Sequence, residues 1–217
     1  MTAGSRRPGP RTDVDVRARL LDTAEALFAA NGVGTDSLRA IGRAAGVSSA
    51  GVLYHFPQRQ DLVDAVVARR GEPLTRSTRT ALEVLVERAE PATTREVVDA
   101  VLLPMVAMIA AEPQAGLAWM KLVTQLAHHR AVAWADVDDG GPSTSELFHA
   151  AAVRALPDYE STAVRFRLGI AMFSMLGSLA GADQGKPEGK IGPAGLDPVF
   201  VEELARFTAS GLAADGT

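Results

Sequence analysis

The stretch Ser37 to Phe56 reads Ser-Leu-Arg-Ala-Ile-Gly-Arg-Ala-Ala-Gly-Val-Ser-Ser-Ala-Gly-Val-Leu-Tyr-His-Phe, and its residue types and spacing support recognition chemistry better than catalysis. Leu38, Ile41, Ala45, Val47, Val52 and Phe56 would pin two short helices at a steep angle, while Gly46 supplies the backbone freedom the turn needs. The second helix then presents an outward face of Ser48, Ser49, Gly51, Tyr54 and His55, small at its N-terminus and polar throughout. Such a face can enter a DNA major groove. Short Ala/Gly-rich helices also serve as connectors in bundles that bind no DNA. Individually, Tyr54 fits packing at a domain edge as well as a DNA contact, and His55 fits simple exposure. Arg39 and Arg43 suit phosphate contacts and helix-surface charge equally.

Elsewhere the chain assembles no catalytic set. There is no nucleophile elbow, phosphate-binding glycine loop, metal motif or carboxylate pair with a defined role, and Asp138-Asp139 reads as a solvated acidic loop. His128 and His129 are adjacent, so they project in different directions from a helix, and nothing around them has metal-ligand spacing. The absence of cysteine removes disulfides, thiolate zinc sites, cysteine nucleophiles and thiol redox sensing together. The expectation is a protein that is not an enzyme, with neither cofactor nor metal.

The elements that must position the motif read at the helical period throughout, with no convincing alternating strand and no internal repeat, so an all-α fold is expected. A first helix over 14–31 carries the stripe Leu20, Leu21, Ala24, Leu27 and Phe28, with Asp13 as its N-cap and Asn31-Gly32 as its end. Asp36 or Ser37 caps a second, a third begins at Ser48 and closes at Phe56-Pro57, and a fourth runs over 60–70 until Gly71-Glu72-Pro73 ends it. Further helices are expected over 78–90, 93–111, 114–135, 143–156, 160–182 and 197–213, with a kink at Pro104. The Gly- and Pro-rich connection 181–198 reads as mobile. Residues 1–13 form a basic leader, 14–74 an N-terminal domain and 75–217 a C-terminal one.

Charge is divided unevenly. Residues 1–70 hold 10 Lys+Arg against 7 Asp+Glu, whereas the remainder holds 12 against 19, giving the chain its net −4. Arg6, Arg7 and Arg11 in the leader either attract a phosphate backbone or keep the tail soluble. The leader lacks an apolar run, and the most apolar stretch, 97–111, is interrupted by Asp99 and Pro104 and is too short to span a bilayer. A cytoplasmic protein without a membrane segment is expected.

The helix, the Ser cap at Ser37, Ala44-Ala45-Gly46-Val47-Ser48 and the run Val52-Leu53-Tyr54-His55-Phe56-Pro57 together resemble the DNA-binding domain of the TetR family of transcriptional regulators. The resemblance covers 14–74. It implies that Ser37 anchors the first motif helix to phosphate, that Ser48, Ser49 and Gly51 approach base edges or backbone, that Tyr54 and His55 contact phosphate or bases, and that Arg59 holds a phosphate at the start of the fourth helix. Ser49 stands where the family often has Lys, Ala50 where it commonly has Gly, and Gly42 where Ala is usual, which suggests close helix packing at Gly42.

For the C-terminal domain the resemblance implies a helical bundle that binds a small-molecule effector and forms a homodimer, so that two recognition helices about 34 to 36 Å apart read a pseudo-palindromic double-stranded DNA. Dimer-interface candidates are Val164, Leu168, Met172, Met175 and Leu179 on one long helix and Phe200, Leu204 and Phe207 on the last, with Ile170, Phe173 and Leu176 extending apolar character to a second side. Effector candidates are Met105, Met108, Trp119, Met120, Val123, Trp134, Phe148 and Phe173, with Thr124, Gln125 and His128 as polar contacts. Residue by residue, ordinary bundle core is the favoured reading of the same set. Besides an enzyme, a dimerising protein that has lost DNA binding is the competing reading, motivated by Ser49 and the overall acidity. The resemblance implies a repressor released from DNA by its ligand.

Overall fold

A computed structural model describes residues 10–32, 35–129, 141–184 and 190–214. Nine helices and one two-stranded ladder occur among them: α1 Pro10–Asn31, α2 Leu38–Ala44, α3 Ser49–His55, α4 Arg59–Glu87, α5 Thr94–Ala111, α6 Pro113–His129, α7 Thr144–Ala155, α8 Ser161–Ala180, β1 Ile191–Gly192, β2 Gly195–Leu196 and α9 Pro198–Ala213. The architecture is all-α. Contacts divide the chain into two units, 1–67 and 68–217, so the division falls inside α4, ahead of the boundary expected at 74.

The N-terminal unit is built on the expected stripe. Leu20, Leu21, Ala24 and Phe28 of α1 are buried together with Ile41, Val52, Phe56, Leu62, Val63 and Val66. Helix α1 begins at Pro10, a residue suited to a first turn, so Asp13 lies within the helix rather than capping it. Gly32 closes α1 with φ at 85°, its N–H donating to the Phe28 carbonyl.

One expected break does not occur. Helix α4 runs straight through Gly71-Glu72-Pro73 to Glu87, replacing the two helices expected over 60–70 and 78–90. A proline inside a helix costs about 3 kcal/mol, and a glycine about 1. Against that stand Leu74, Thr75, Thr78, Leu82 and Leu85, buried at helical spacing, and an apolar side chain returns about 1.5 to 3 kcal/mol on full burial. Gly71 belongs to the same stripe: a Cβ there would meet Trp119 Cζ2 at 3.5 Å. Tertiary burial outweighs the local signal.

In the C-terminal unit α5 to α9 enclose a core that includes Val97, Val101, Leu102, Ile109, Trp119, Met120 and Leu122. Capping boxes start α5 at Thr93 with Glu96 and α7 at Ser143 with Glu146, and Asp197 caps α9. Pro104 lies inside α5.

Part of the connection 181–198 carries the two short strands that the helical period gave no sign of. Its residues 190–197 form a short antiparallel hairpin, pairing Ile191 with Leu196 and Gly192 with Gly195. Leu196 is buried, and Gly195, at φ 102°, passes so close to α5 that a Cβ would stand 3.0 Å from Ala110 Cα. Lys190 N–H donates to Ala182 O, and Asp197 N–H to Lys190 O, which ties both ends down.

Candidate nucleic-acid interface

Two serines set the motif's geometry. Ser37 Oγ accepts from Ala40 N–H at 3.2 Å and Ser48 Oγ from Gly51 N–H at 3.2 Å, so each hydroxyl starts one helix of the pair. Each such cap is worth about 1 kcal/mol. Asp36, the alternative cap for α2, instead accepts from the Asn31 amide. Between the helices Gly46 adopts φ 66°, a left-handed conformation open to glycine, and no neighbour lies near it. Ile41, Val52 and Phe56, almost wholly buried, then lock α2 against α3.

Gly42 explains how closely the two helices approach. A Cβ on it would fall 2.6 Å from Val52 Cγ2 and 3.2 Å from Val47 O, so the position that costs helix propensity is the one that lets α3 seat. Arg17 reinforces the arrangement from α1, its guanidinium 5.3 Å above the Phe56 ring.

What α3 offers to solvent differs from the sequence reading. Ser48, Ser49, Ala50, Leu53 and Tyr54 are exposed, Leu53 at 54% and Tyr54 at 73%. Gly51 is half-buried and faces inward, where a Cβ would meet Val47 Cγ1 at 3.0 Å. His55 is half-buried too, its ring edge-on to Tyr54 at 5.1 Å. The outward stripe is therefore 49, 50, 53 and 54, the i, i+1, i+4, i+5 pattern of one helix face. It carries a hydroxyl, two aliphatic groups and a phenol, with no charge. The outward face read from sequence leaves out Ala50 and Leu53, whose apolar side chains give no sign of exposure.

Arg59 is placed differently from the phosphate ligand expected of it. Its Nε donates to the Asp36 carbonyl at 3.0 Å, its guanidinium lies 5.5 Å from the Phe28 ring centre, and Nη2 is buried without a hydrogen-bond partner among the described residues. The start of α4 already has an anion in Asp61, whose carboxylate accepts from Gln58 N–H at 2.8 Å. Arg59 thus fastens α4 to the segment that leads into Ser37. Arg39 and Arg43 remain exposed on α2.

In the C-terminal unit several expected roles move. Of the effector candidates, Met105 and Phe148 line a cavity of about 60 Å³. Trp119, Met120 and Val123 are packed core instead, Met108 and Gln125 are half-buried away from the cavity lining, and the Thr124 hydroxyl donates to the Met120 carbonyl. Phe173 is exposed on the outer side of α8. The side chain of His128 and all of Trp134 lie outside the described residues, as do the leader residues Arg6 and Arg7. The cavity's hydroxyl-bearing residues, Thr75 and Thr78 on α4 and Thr144 and Ser145 on α7, had no periodic signal in sequence to single them out.

The dimer candidates split by the same logic. Val164, Leu168, Met175, Leu179 and Leu204 are buried within their own bundle and have no surface left for a partner, while Met172 and Phe200 are half-buried against the same core. The exposed apolar side chains are Phe166, Ile170 and Phe173 on α8 and Val199 and Phe207 on α9, with Ile170 71% and Phe207 73% accessible. The sequence reading chose the inner stripe of α8, since both of its faces are apolar. Helix α8 is long and apolar enough to cross a membrane by length and composition, and a third of that window is buried inside the protein.

Comparison with known proteins places this geometry. Residues 20–66 match the family model of bacterial regulatory proteins, tetR family. Over 60 residues the chain is 38% identical to the HTH-type transcriptional regulator SrpR of Pseudomonas putida, a stretch that makes up 28% of each chain. It is also 38% identical over 60 residues to the uncharacterized HTH-type transcriptional regulator TtgW of Pseudomonas putida, covering 28% of this chain and 45% of that one. The match thus spans less than half the length of either relative.

The fold is shared over far more of the chain with solved structures. The ketosteroid transcriptional regulator KstR2 of Mycobacterium tuberculosis superposes with a TM-score of 0.61 at 16% identity, covering 96% of this chain and 98% of that one. AmtR of Mycobacterium smegmatis gives 0.57 at 20% identity, covering 99% and 92%. The paired helices capped by Ser37 and Ser48 fall inside the matched 20–66, so it is this N-terminal stretch that is similar to the tetR family of bacterial regulatory proteins.

Proposed function

We propose that the chain is a transcriptional regulator that binds pseudo-palindromic double-stranded DNA as a homodimer in the cytoplasm and acts as a repressor released by a small molecule. The observation that carries the DNA reading is the exposed stripe Ser49, Ala50, Leu53 and Tyr54 on a helix locked from behind by Val52 and Phe56. Ala50 and Leu53 suit van der Waals contact with thymine methyl groups, while Ser49 and Tyr54 can donate to base edges or phosphate. Ser37, with its hydroxyl at the start of α2, and Ser48 at the start of α3 are the phosphate-side candidates. Gly51 and His55 contribute through the shape of α3, and Arg59 by holding the motif's frame.

Support for the dimer comes from Phe166, Ile170, Phe173, Val199 and Phe207, a set of exposed apolar side chains on two helices that a second copy would cover. Support for a ligand comes from the cavity beside Met105 and Phe148. The charge excess of residues 1–70 agrees with an anionic partner for the N-terminal unit.

Selection from random duplex DNA followed by a gel shift should enrich a partly symmetric site. Failure to enrich any site across several salt concentrations would favour the competing reading, a dimerising protein without DNA affinity. Ser49→Lys places a cation on the exposed stripe. It should tighten binding and steepen the log–log salt dependence by about one. No change in either would put Ser49 away from the DNA.

A further inference from the structure

We propose that the cavity of the C-terminal unit takes a small, uncharged, largely apolar molecule bearing one hydroxyl or carbonyl group, and that the Thr75 hydroxyl recognises that group. This rests on the reading of the C-terminal unit as the ligand-responsive part of the chain. The cavity, about 60 Å³, is walled by α4, α5, α7 and α8. Apolar side chains such as Phe148 and Met172 form most of the wall, and its polar groups are the hydroxyls of Thr75, Thr78, Thr144 and Ser145. Among the described residues no Lys, Arg, His, Asp or Glu lines it. An ionised ligand would be buried there without a counter-charge, which the desolvation cost of a charge disfavours strongly.

Thr75 points to what the ligand offers. Threonines buried in a helix commonly satisfy themselves by donating to the carbonyl four residues earlier. Thr124 does so to Met120 O at 2.8 Å and Thr208 to Leu204 O at 2.7 Å. Thr75 does not: only 3% of it is exposed, and its Oγ1 has no hydrogen-bond partner among the described residues. A buried hydroxyl without a partner is a cost to the fold, and a bound group that pairs with it removes that cost. The cavity therefore discriminates in two ways. It rejects charge through its walls and rewards a single polar group at Thr75. Ser145, exposed while it lines the cavity, marks the opening.

Three probes of one shape separate these features: p-cresol, toluene and 4-methylbenzoate, each titrated calorimetrically into the full chain at pH 7. The expected order is p-cresol about tenfold tighter than toluene, with no binding of 4-methylbenzoate. Thr75→Val should lower p-cresol affinity to that of toluene, and Thr75→Ser, which keeps the hydroxyl, should restore the difference. Ser145→Phe should block both neutral probes. Tightest binding by 4-methylbenzoate, an unchanged ratio of p-cresol to toluene in Thr75→Val, unaltered binding in Ser145→Phe, or no binding by any of the three would overturn the proposal.

The outcome is separable from that of the regulatory reading. A chain that binds p-cresol but enriches no DNA site keeps the cavity and loses the regulator. One that enriches a DNA site but binds none of the probes does the reverse.

Discussion

Ser37 and Ser48 each fix a helix of the α2–α3 pair through a bond to an amide three residues away, whereas the C-terminal unit is fastened by side chains that reach across 44 residues, from Arg167 to Gly211, or 107, from Arg95 to Glu202. The N-terminal unit is thus specified by local devices and a small core. The C-terminal unit depends on which distant helix each side chain meets. That difference suits the proposed regulator, whose first unit would present one rigid face to DNA while its second surrounds a cavity and carries an apolar outer face.

The outer face offers the largest way to break the comparison. If Ile170 and Phe207 are covered by a second copy, Ile170→Asp with Phe207→Asp buries unpaired charge in that contact. The dimer dissociation constant should rise on the order of a hundredfold or more, read by sedimentation velocity. Both side chains are exposed in the single chain, so its own melting temperature should hardly move. Unchanged sedimentation would show that another surface makes the dimer.

Gly42→Ala tests the local side. Alanine adds about 1 kcal/mol of helix propensity but places a methyl 2.6 Å from Val52 Cγ2 and 3.2 Å from the Val47 carbonyl, and overpacking typically costs about 1 to 3 kcal/mol. The clash should win, lowering both the stability of the N-terminal unit and its affinity for an enriched DNA site. A more stable variant would mean that Val52 rotates aside freely and that the seating of α3 is less tight than its contacts suggest.

Arg167→Met tests the long-range side with a similar or smaller effect. Its guanidinium donates to the Gly211, Leu212 and Ala214 carbonyls at the end of α9 and lies 4.3 Å over the Tyr159 ring, while Tyr159 Oη donates to Ala213 and Ala214. Losing that clamp should cost about 1 to 2 kcal/mol in the C-terminal unit, since the orphan carbonyls regain only part of their hydration. Amide exchange in 205–213 should speed up while that of α2 and α3 stays as it was.

The same contrast decides what the sequence made legible. The N-terminal scaffold could be read almost residue by residue, because caps, a left-handed glycine and a short apolar stripe act between near neighbours. What that reading lacked there was direction: Gly51 faces inward, His55 is half-buried, Leu53 is exposed, and the Arg59 guanidinium reaches Asp36 and Phe28. In the C-terminal unit helix positions were legible, but their partners were not. Gly71-Glu72-Pro73 reads as a stop until Trp119 and the buried stripe beyond Pro73 are known. Helix α8 is apolar on both sides, so its composition could not say whether Val164 or Ile170 faces inward.

Acid offers the smallest and most graded test. Arg88 grips both oxygens of Glu96, with Thr93 N–H adding a third bond, and holds its carboxyl down at about 2. Arg95 grips Glu202 in the same way, to the same value. Unfolded, both carboxyls would titrate near their ordinary 4.5. Their contribution to stability is therefore complete above that pH and is lost as pH falls toward about 2, where the folded forms also take up protons. Each carboxylate is more than a third exposed, so the effect is small and screened by salt. Both tryptophans lie in the C-terminal unit, which makes their fluorescence a selective reporter. The urea midpoint read that way should drop between pH 4.5 and 2, less steeply in Glu202→Gln and less steeply at 1 M salt. An equal slope in wild type and Glu202→Gln would show that the ion pair joining α5 to α9 is not among the bonds that hold the C-terminal unit together.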